Sequence, residues 1–345
     1  MLTQTQFMIW NEEAIDKCAK YIQAGEVVAF PTETVYGLGA DASNPDAVGK
    51  IFSAKGRPQD NPLIVHVADK EAIERYTTEV PRYAKQLIEA FMPGPLTLVL
   101  PSNGTISAKV TAGLKSIGIR IPDHPAAQEL IRKANLPIAA PSANLSGKPS
   151  PTSAIHVYQD LNGKIAAILD GGTTGVGLES TVVDCTGSQP EIIRPGGVTQ
   201  AELEAVLGYP VRDVTTNQDL KIEKPKSPGM KYNHYQPEVP LILIDGDHSF
   251  FQTKIDKYQK EGQRVGVIAS EELSSLLTAD QIHLCGTITN LKTIANQLYQ
   301  SLRVFKKTDV DIVLAEVFPE EGVGQAIMNR LKKAATYIER AENGR

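Results

Sequence analysis

The sequence predicts an α/β protein in two parts: a twisted mixed sheet with helices, then, after a linker, a smaller domain with a doubly wound parallel sheet. Three observations carry this. Up to about residue 210, strand candidates outnumber helices and follow one another irregularly; residues 211–237 are dense in chain breakers; after Pro240, strands and helices alternate regularly. At 345 residues the chain is about 2.3 times a ~150-residue domain, so two domains are expected. The expected bounds are 1–210, a linker at 211–237, and 238–345.

The first element is an amphipathic helix from Asn11 to Gly25, with Ile15, Cys18, Ala19 and Ile22 at helical spacing, Asn11 as N-cap and Gly25 as stop. A strand from Val27 to Phe30 ends at Pro31. Asn44-Pro45 then starts a helix whose inner face carries Val48, Ile51 and Phe52 and which ends near Lys55-Gly56. Further strands are expected at 63–67, 96–100, 117–121, 165–169, 181–184 and 191–193, with helices near 82–91, 124–133 and 200–207. Beyond the linker, strands at 241–244, 265–269, 282–284 and 312–317 alternate with helices at about 249–260, 271–277, 290–305 and 322–341, a pattern that implies parallel pairing.

Composition narrows the function classes. Hydrophobic residues at 41% and charged residues at 22% describe a folded globular chain. The net charge of -5 repels a nucleic-acid backbone. By segment, residues 1–210 hold 17 Lys/Arg against 22 Asp/Glu, residues 211–237 hold 5 against 3, and residues 238–345 hold 13 against 15. Only the linker is positive. Cys18, Cys185 and Cys285 lie far apart without a CxxC pair, which suggests neither zinc nor disulfides and points to a reducing compartment. No apolar run reaches membrane-span length and the N-terminus lacks a signal pattern, so a cytoplasmic location is expected.

Common chemical motifs are missing. Gly37-Leu38-Gly39-Ala40-Asp41-Ala42 matches GxGxxA only superficially, because Pro31–Tyr36 separate it from the preceding strand and the next helix waits until Asn44-Pro45. Ser146-Gly147-Lys148-Pro149 lacks the hydroxyl and the earlier glycine of a P-loop. The six histidines form no HExxH pair, no Cys/His spacing suggests a metal, and Gly-x-Ser-x-Gly is absent. Most of these histidines read as ordinary surface or core residues; His66 and His234 stand in unusual surroundings.

What remains is a series of polar clusters at expected strand ends: 31–38 (Pro-Thr-Glu-Thr-Val-Tyr-Gly-Leu), 55–58 (Lys-Gly-Arg-Pro) with Asn61-Pro62-Leu63, 116–120, 141–144 (Pro-Ser-Ala-Asn), 179–182 (Glu-Ser-Thr-Val) and 193–197 (Ile-Arg-Pro-Gly-Gly). Singly, each reads as turn chemistry. Together, Lys55, Arg57, Arg120 and Arg194 can neutralise a polyphosphate while hydroxyls and amides fix a small polar ligand. Arg120, between Ile119 and Ile121, must reach an edge, a partner or a ligand.

In order and combination, these clusters, with Pro-Gly-Pro-Leu-Thr at 93–97, Ala140 preceding Pro141, and the 227–237 linker Ser-Pro-Gly-Met-Lys-Tyr-Asn-His-Tyr-Gln-Pro, closely resemble the threonylcarbamoyl-AMP synthase family, YrdC-like, in its long two-domain form. The resemblance implies a YrdC-like catalytic domain and a C-terminal Rossmann-like domain. It implies an enzyme, a nucleotidyltransferase, that joins L-threonine, bicarbonate or CO2, and ATP into threonylcarbamoyl-adenylate and pyrophosphate. Its product would pass to a downstream tRNA threonylcarbamoyl transferase complex that modifies an adenosine beside the anticodon, with at most weak contact to tRNA here.

By the same motif matching, Lys55, Arg57, Ser142 and Asn144 are the expected catalytic tetrad. Thr34, His66, Arg120, Ala140 and Ser180 would contact threonine; Arg57, Asn61, Ser116, Ser142, Ser150, Arg194, His234 and Tyr235 would contact ATP. Mg2+ is expected with the nucleotide and no protein-held metal. The positive linker is the expected lid over both ligands. A tRNA-gripping module without chemistry, or a carbamoyl-transfer domain acting on another protein, are the competing readings. The charge balance argues against the first, and the lack of acylphosphatase-like or zinc-finger segments against the second.

Overall fold

The computed structural model describes residues 4–216 and 235–341. The chain divides into two compact units, Met1–Ser146 with Ser150–Tyr232, and Gly147–Pro149 with Asn233–Arg345.

The first unit is built on an 11-stranded mixed sheet. Its spatial order is Gln6–Ile9, Ala167–Asp170, Val28–Phe30, Gly37–Asp41, Ile138–Ala139, Ile64–His66, Ser116–Arg120, Leu96–Pro101, Thr181–Asp184, Glu191–Arg194 and Arg212–Asp213. Both faces are covered. Val28 and Phe30 pack with Ile15, Ile22, Leu130 and Ile131 on one side, whereas Ala29 joins Val48, Ile51 and Leu87 on the other, the period-two alternation of a strand buried on both faces.

Local chemistry explains the first helices. Asn11 accepts from Ala14 N at the start of the helix Glu12–Gln23, and Gly25 takes φ +73 just beyond its end. Asn44 caps Asp46 N and Ala47 N of the helix Pro45–Lys55, which Gly56 closes at φ 62. That stop sets Lys55 and Arg57 on either side of a left-handed residue, so the two cations leave the helix end in different directions.

Several elements differ from the sequence reading. Strands Gln6–Ile9, Gly37–Asp41 and Ile138–Ala139 and helices Glu71–Tyr76, Ala108–Thr111 and Ala154–Leu161 were not expected. Gly37–Asp41 pairs antiparallel with Val28–Phe30 and Ile138–Ala139, and Gly39 within it has to be small: a Cβ there would stand 2.6 Å from the Phe30 ring and 2.8 Å from Ile138 Cγ2. Arg212–Asp213, assigned above to the linker, pairs in parallel with Glu191–Arg194 and extends the first sheet.

The second unit carries a five-stranded sheet, ordered Gln281–Leu284, Val265–Ala269, Ile312–Glu316, Leu241–Asp245 and Tyr337–Arg340, with every pairing parallel. Ile242, Ile244, Val267 and Leu314 meet Phe251 and Ile255 of the helix His248–Lys260 in its core. The last expected helix is corrected here. It runs only over Gly324–Ala334, and Tyr337–Arg340 is a fifth strand beside Leu241–Asp245. Thr336, Tyr337 and Ile338 favour extended backbone, and the open sheet edge decides the outcome. Among the described residues, no helix is long and apolar enough to cross a membrane.

Candidate active site

The centre of the first sheet brings the polar clusters together. Ile64–His66 runs parallel to Ser116–Arg120 on one side and antiparallel to Ile138–Ala139 on the other, so His66 pairs with both Arg120 and Ile138. Continuing the antiparallel register of Leu98 with Ile119 by one residue sets Thr97 against Arg120. Thr97 Oγ1 in turn lies 2.7 Å from Ser180 Oγ. Thus five separate stretches of chain, those of His66, Thr97, Arg120, Ile138 and Ser180, meet at one strand end.

Arg120 is the hub of that end and is 3% exposed. Its Nη1 donates to Thr34 Oγ1 at 3.0 Å, and its Nη2 donates to the Gly94 carbonyl at 3.4 Å and forms a short ion pair with Glu33. Thr32 Oγ1 accepts from Thr34 N and Val35 N and lies 2.7 Å from Thr34 Oγ1, which fixes the loop carrying both partners. His66, also buried, places Nδ1 3.3 Å from the Ile64 carbonyl. Burial, reinforced by the neighbouring Arg120 charge, pushes its pKa down to about 3, so the imidazole is neutral at pH 7. Ala140 donates its backbone N–H to the Ile64 carbonyl at 2.9 Å, beside this group.

Ser180 links the hub to Arg194. The guanidinium donates from Nη2 to the Ser180 carbonyl at 2.9 Å and to Ser180 Oγ at 3.1 Å. This contact depends on Gly196, where a Cβ would stand 2.3 Å from the Glu179 carbonyl oxygen and 2.4 Å from Thr181 N. The glycine in Arg-Pro-Gly is therefore a site of close backbone approach, beyond the turn that sequence alone suggests. Ser150 Oγ donates to Glu179 Oε1 at 2.6 Å.

The second group lies toward the other end of the same strands. Lys55 Nζ donates to the Ser142 and Asn144 carbonyls at 2.5 and 2.6 Å. Arg57 Nη2 donates to the Asn61 and Pro62 carbonyls at 3.3 and 3.2 Å. Ser142 bridges Gly37, and Asn144 Nδ2 donates to the Leu145 carbonyl. Ser116 opens the strand that Arg120 ends, four residues or about 13 Å away at ~3.3 Å per residue. The site thus has two poles: Arg120 with Thr34, His66, Ala140, Ser180 and Arg194, and Lys55 with Arg57, Asn61, Ser142 and Asn144.

Tyr235 belongs to the second unit, where its ring stacks on Tyr299 at 5.4 Å between centroids and its backbone takes φ 65. Residues 217–234 of the expected lid, His234 among them, lie outside the described residues. Three site residues escaped the sequence reading: Glu33, Thr97 and Glu179. Each sits inside a quoted cluster, yet only the fold shows that its side chain points at another one.

Two family models match this chain. Residues 20–196 match the Sua5/YciO/YrdC model, described as telomere recombination, and residues 198–336 match the threonylcarbamoyl-AMP synthase C-terminal domain. The threonylcarbamoyl-AMP synthase of Bacillus subtilis is 53% identical over 326 residues, 94% of each chain, and that of Pyrococcus abyssi is 46% identical over 331 residues, 95% of each. The crystal structure of P. abyssi Sua5 complexed with L-threonine has a TM-score of 0.92 at 44% identity, covering 98% of this chain and 99% of that one. With relatives this similar along nearly the whole length and a model matched in each unit, the chain belongs to the threonylcarbamoyl-AMP synthase family.

Proposed function

We propose that the protein converts L-threonine, bicarbonate or CO2, and ATP into threonylcarbamoyl-adenylate and pyrophosphate, in the cytoplasm, for transfer by a separate complex to an adenosine beside the tRNA anticodon. The observation that carries this reading is the two-pole site: a buried Arg120 bonded to the Thr34 hydroxyl, and a separate cationic group of Lys55 and Arg57, which donate to the Ser142, Asn144, Asn61 and Pro62 carbonyls. One pole suits an amino-acid carboxylate, the other a polyphosphate. The threonine complex of P. abyssi Sua5 supports the first assignment.

In this scheme Arg120 takes the threonine carboxylate, with Thr34, His66, Ala140 and Ser180 around it. The amine adds to CO2, losing a proton, and gives a carbamate. A carbamate oxygen then forms a bond to the α-phosphorus of ATP as the bond to the bridging oxygen breaks, and pyrophosphate leaves with that electron pair. Lys55, Arg57 and Arg194 offset the charge that builds on the phosphoryl oxygens and the leaving group, and Asn61, Ser116, Ser142, Asn144 and Ser150 fix the nucleotide. ATP would enter as its Mg2+ complex, the ion adding its charge to that of Lys55, Arg57 and Arg194.

The test is pyrophosphate release measured with each substrate omitted in turn, with the product identified by mass. Release that requires threonine and bicarbonate together is the expected result. Equal release with other amino acids, or none with all substrates present, rejects the reading.

A further inference from the structure

Around Arg120, one donor and one acceptor are left over. Arg120 Nε and Glu33 Oε2 are both buried, and neither has a hydrogen-bond partner among the described residues. They belong to the two side chains of a single ion pair, formed through Arg120 Nη2 and Glu33 Oε1. Leaving a buried donor and acceptor unmet is costly, and a ligand that meets both recovers that cost. The pair also has the polarity of an α-amino acid, whose ammonium nitrogen lies about 2.5 Å from its carboxylate carbon by standard backbone dimensions.

We propose that Glu33 is the residue that receives the α-ammonium group of the threonine substrate, while Arg120 receives its carboxylate. This inference rests on the reading of the Arg120 pole as the threonine site. Glu33 is placed for the task by its backbone as well as its side chain. Its carbonyl accepts from Val176 N at 2.7 Å, and the Thr32 hydroxyl bonds to the two N–H groups that follow it.

Charge balance gives the same assignment a selectivity. Within the ion pair the Arg120 and Glu33 charges cancel, and neutral His66 adds none; Arg194, reached through Ser180, adds a positive charge to this pole. A zwitterion enters such a pocket without changing its net charge, and each of its ends meets an opposite one. An acid with a hydroxyl in place of the ammonium can offer Glu33 one neutral O–H hydrogen bond but no positive charge, so it loses the charge-assisted contact that the ammonium makes in a buried site. Glu33 therefore serves as a specificity determinant for amino acids over hydroxy acids, apart from any service it renders in orienting Arg120.

The experiment is calorimetric titration of the full-length chain with L-threonine and with 2,3-dihydroxybutyrate of matching configuration, for the wild type and Glu33→Gln. Wild type should bind threonine and strongly prefer it. Glu33→Gln should weaken threonine about 10- to 100-fold, the worth of a hydrogen bond to a charged group, while the hydroxy acid binds as before or more tightly. Equal weakening of both ligands would show that Glu33 only steadies Arg120 and overturns the proposal, as does unchanged threonine binding. If the Gln variant does not fold, Glu33→Asp keeps the charge at shorter reach. It should then bind threonine more weakly yet still prefer it, and loss of that preference overturns the assignment. Failure of the wild type to bind threonine condemns the functional reading itself, and is seen before any variant is compared.

Discussion

In the first unit, four cations from three stretches of chain, Lys55, Arg57, Arg120 and Arg194, lie at least nine-tenths out of solvent, with hydroxyls and carbonyls around them. In the second, the three inner strands are almost wholly buried, and their two charged residues, Asp245 and Glu316, both stand at strand ends. The buried cations of that unit, Arg303 and Arg330, sit on helices, and Arg303 donates to the Pro149 carbonyl within the same unit. Burial of charge alone therefore does not mark a site. What distinguishes the first sheet is convergence of charge at adjoining strand ends, where a ligand can meet several charges at once.

That contrast can be broken at either side. The largest effect is expected in the second unit. Phe251 is fully buried among Ile242, Ile255, Val267 and Leu314, and Phe251→Ala should cost about 3–5 kcal/mol of stability. Below its own unfolding transition, the variant should release pyrophosphate at the wild-type rate. Denaturant titration and the threonine-dependent assay check the two halves of this statement; a stable variant with lost activity would put the second unit inside the chemistry and end the contrast.

Arg57→Ala is the matching test in the first unit. Losing one preorganised charge-stabilising donor lowers turnover about 10²- to 10³-fold. Arg57 also ties the Asn61 and Pro62 carbonyls, so some stability should go with it. Arg57→Lys separates the two roles, because it keeps the charge and loses the planar guanidinium whose Nη2 reaches both carbonyls. Near wild-type turnover in Arg57→Ala would contradict the assignment of that pole.

How much of this was legible beforehand depends on the range of the interaction. Asn11, Asn44 and Gly56 act within a few residues, and sequence pattern places their helices well. The site clusters were visible as clusters because strand ends need Pro, Gly, Ser and Asn for turns whatever else they do. Their contacts were not visible. Glu33 and Arg120 are 87 residues apart and Thr97 and Ser180 are 83 apart, and no local rule joins them. Gly39 and Gly196 read as loop glycines, although each is needed because another part of the chain comes too close for a side chain. Tyr337–Arg340 reads as the end of a helix, since only the partner strand Leu241–Asp245 makes it a strand.

The smallest expected effect compares one histidine from each sheet. Burial lowers the pKa of both His66 and His283, but His66 is fully enclosed and faces Arg120, whereas His283 lies half-buried on the edge strand Gln281–Leu284. With a folded-state pKa near 3 against an unfolded value of about 6.5, neutral His66 contributes its full stability above pH ~6.5. As pH falls below that, the unfolded chain binds a proton that the folded chain refuses, so stability drops by up to about 1.4 kcal/mol per pH unit until the folded pKa is reached. His66→Gln should remove about one proton's worth of this slope between pH 6 and pH 4, measured as the wild-type minus variant difference in denaturation free energy, which cancels the carboxylates common to both. His283→Gln should change the slope less, because that ring is only half-buried and burial is the sole cause that lowers its pKa. Equal effects from the two substitutions would mean that the Arg120 pole is wetter and less charged than its packing indicates, and the case for a selective amino-acid pocket would weaken with it.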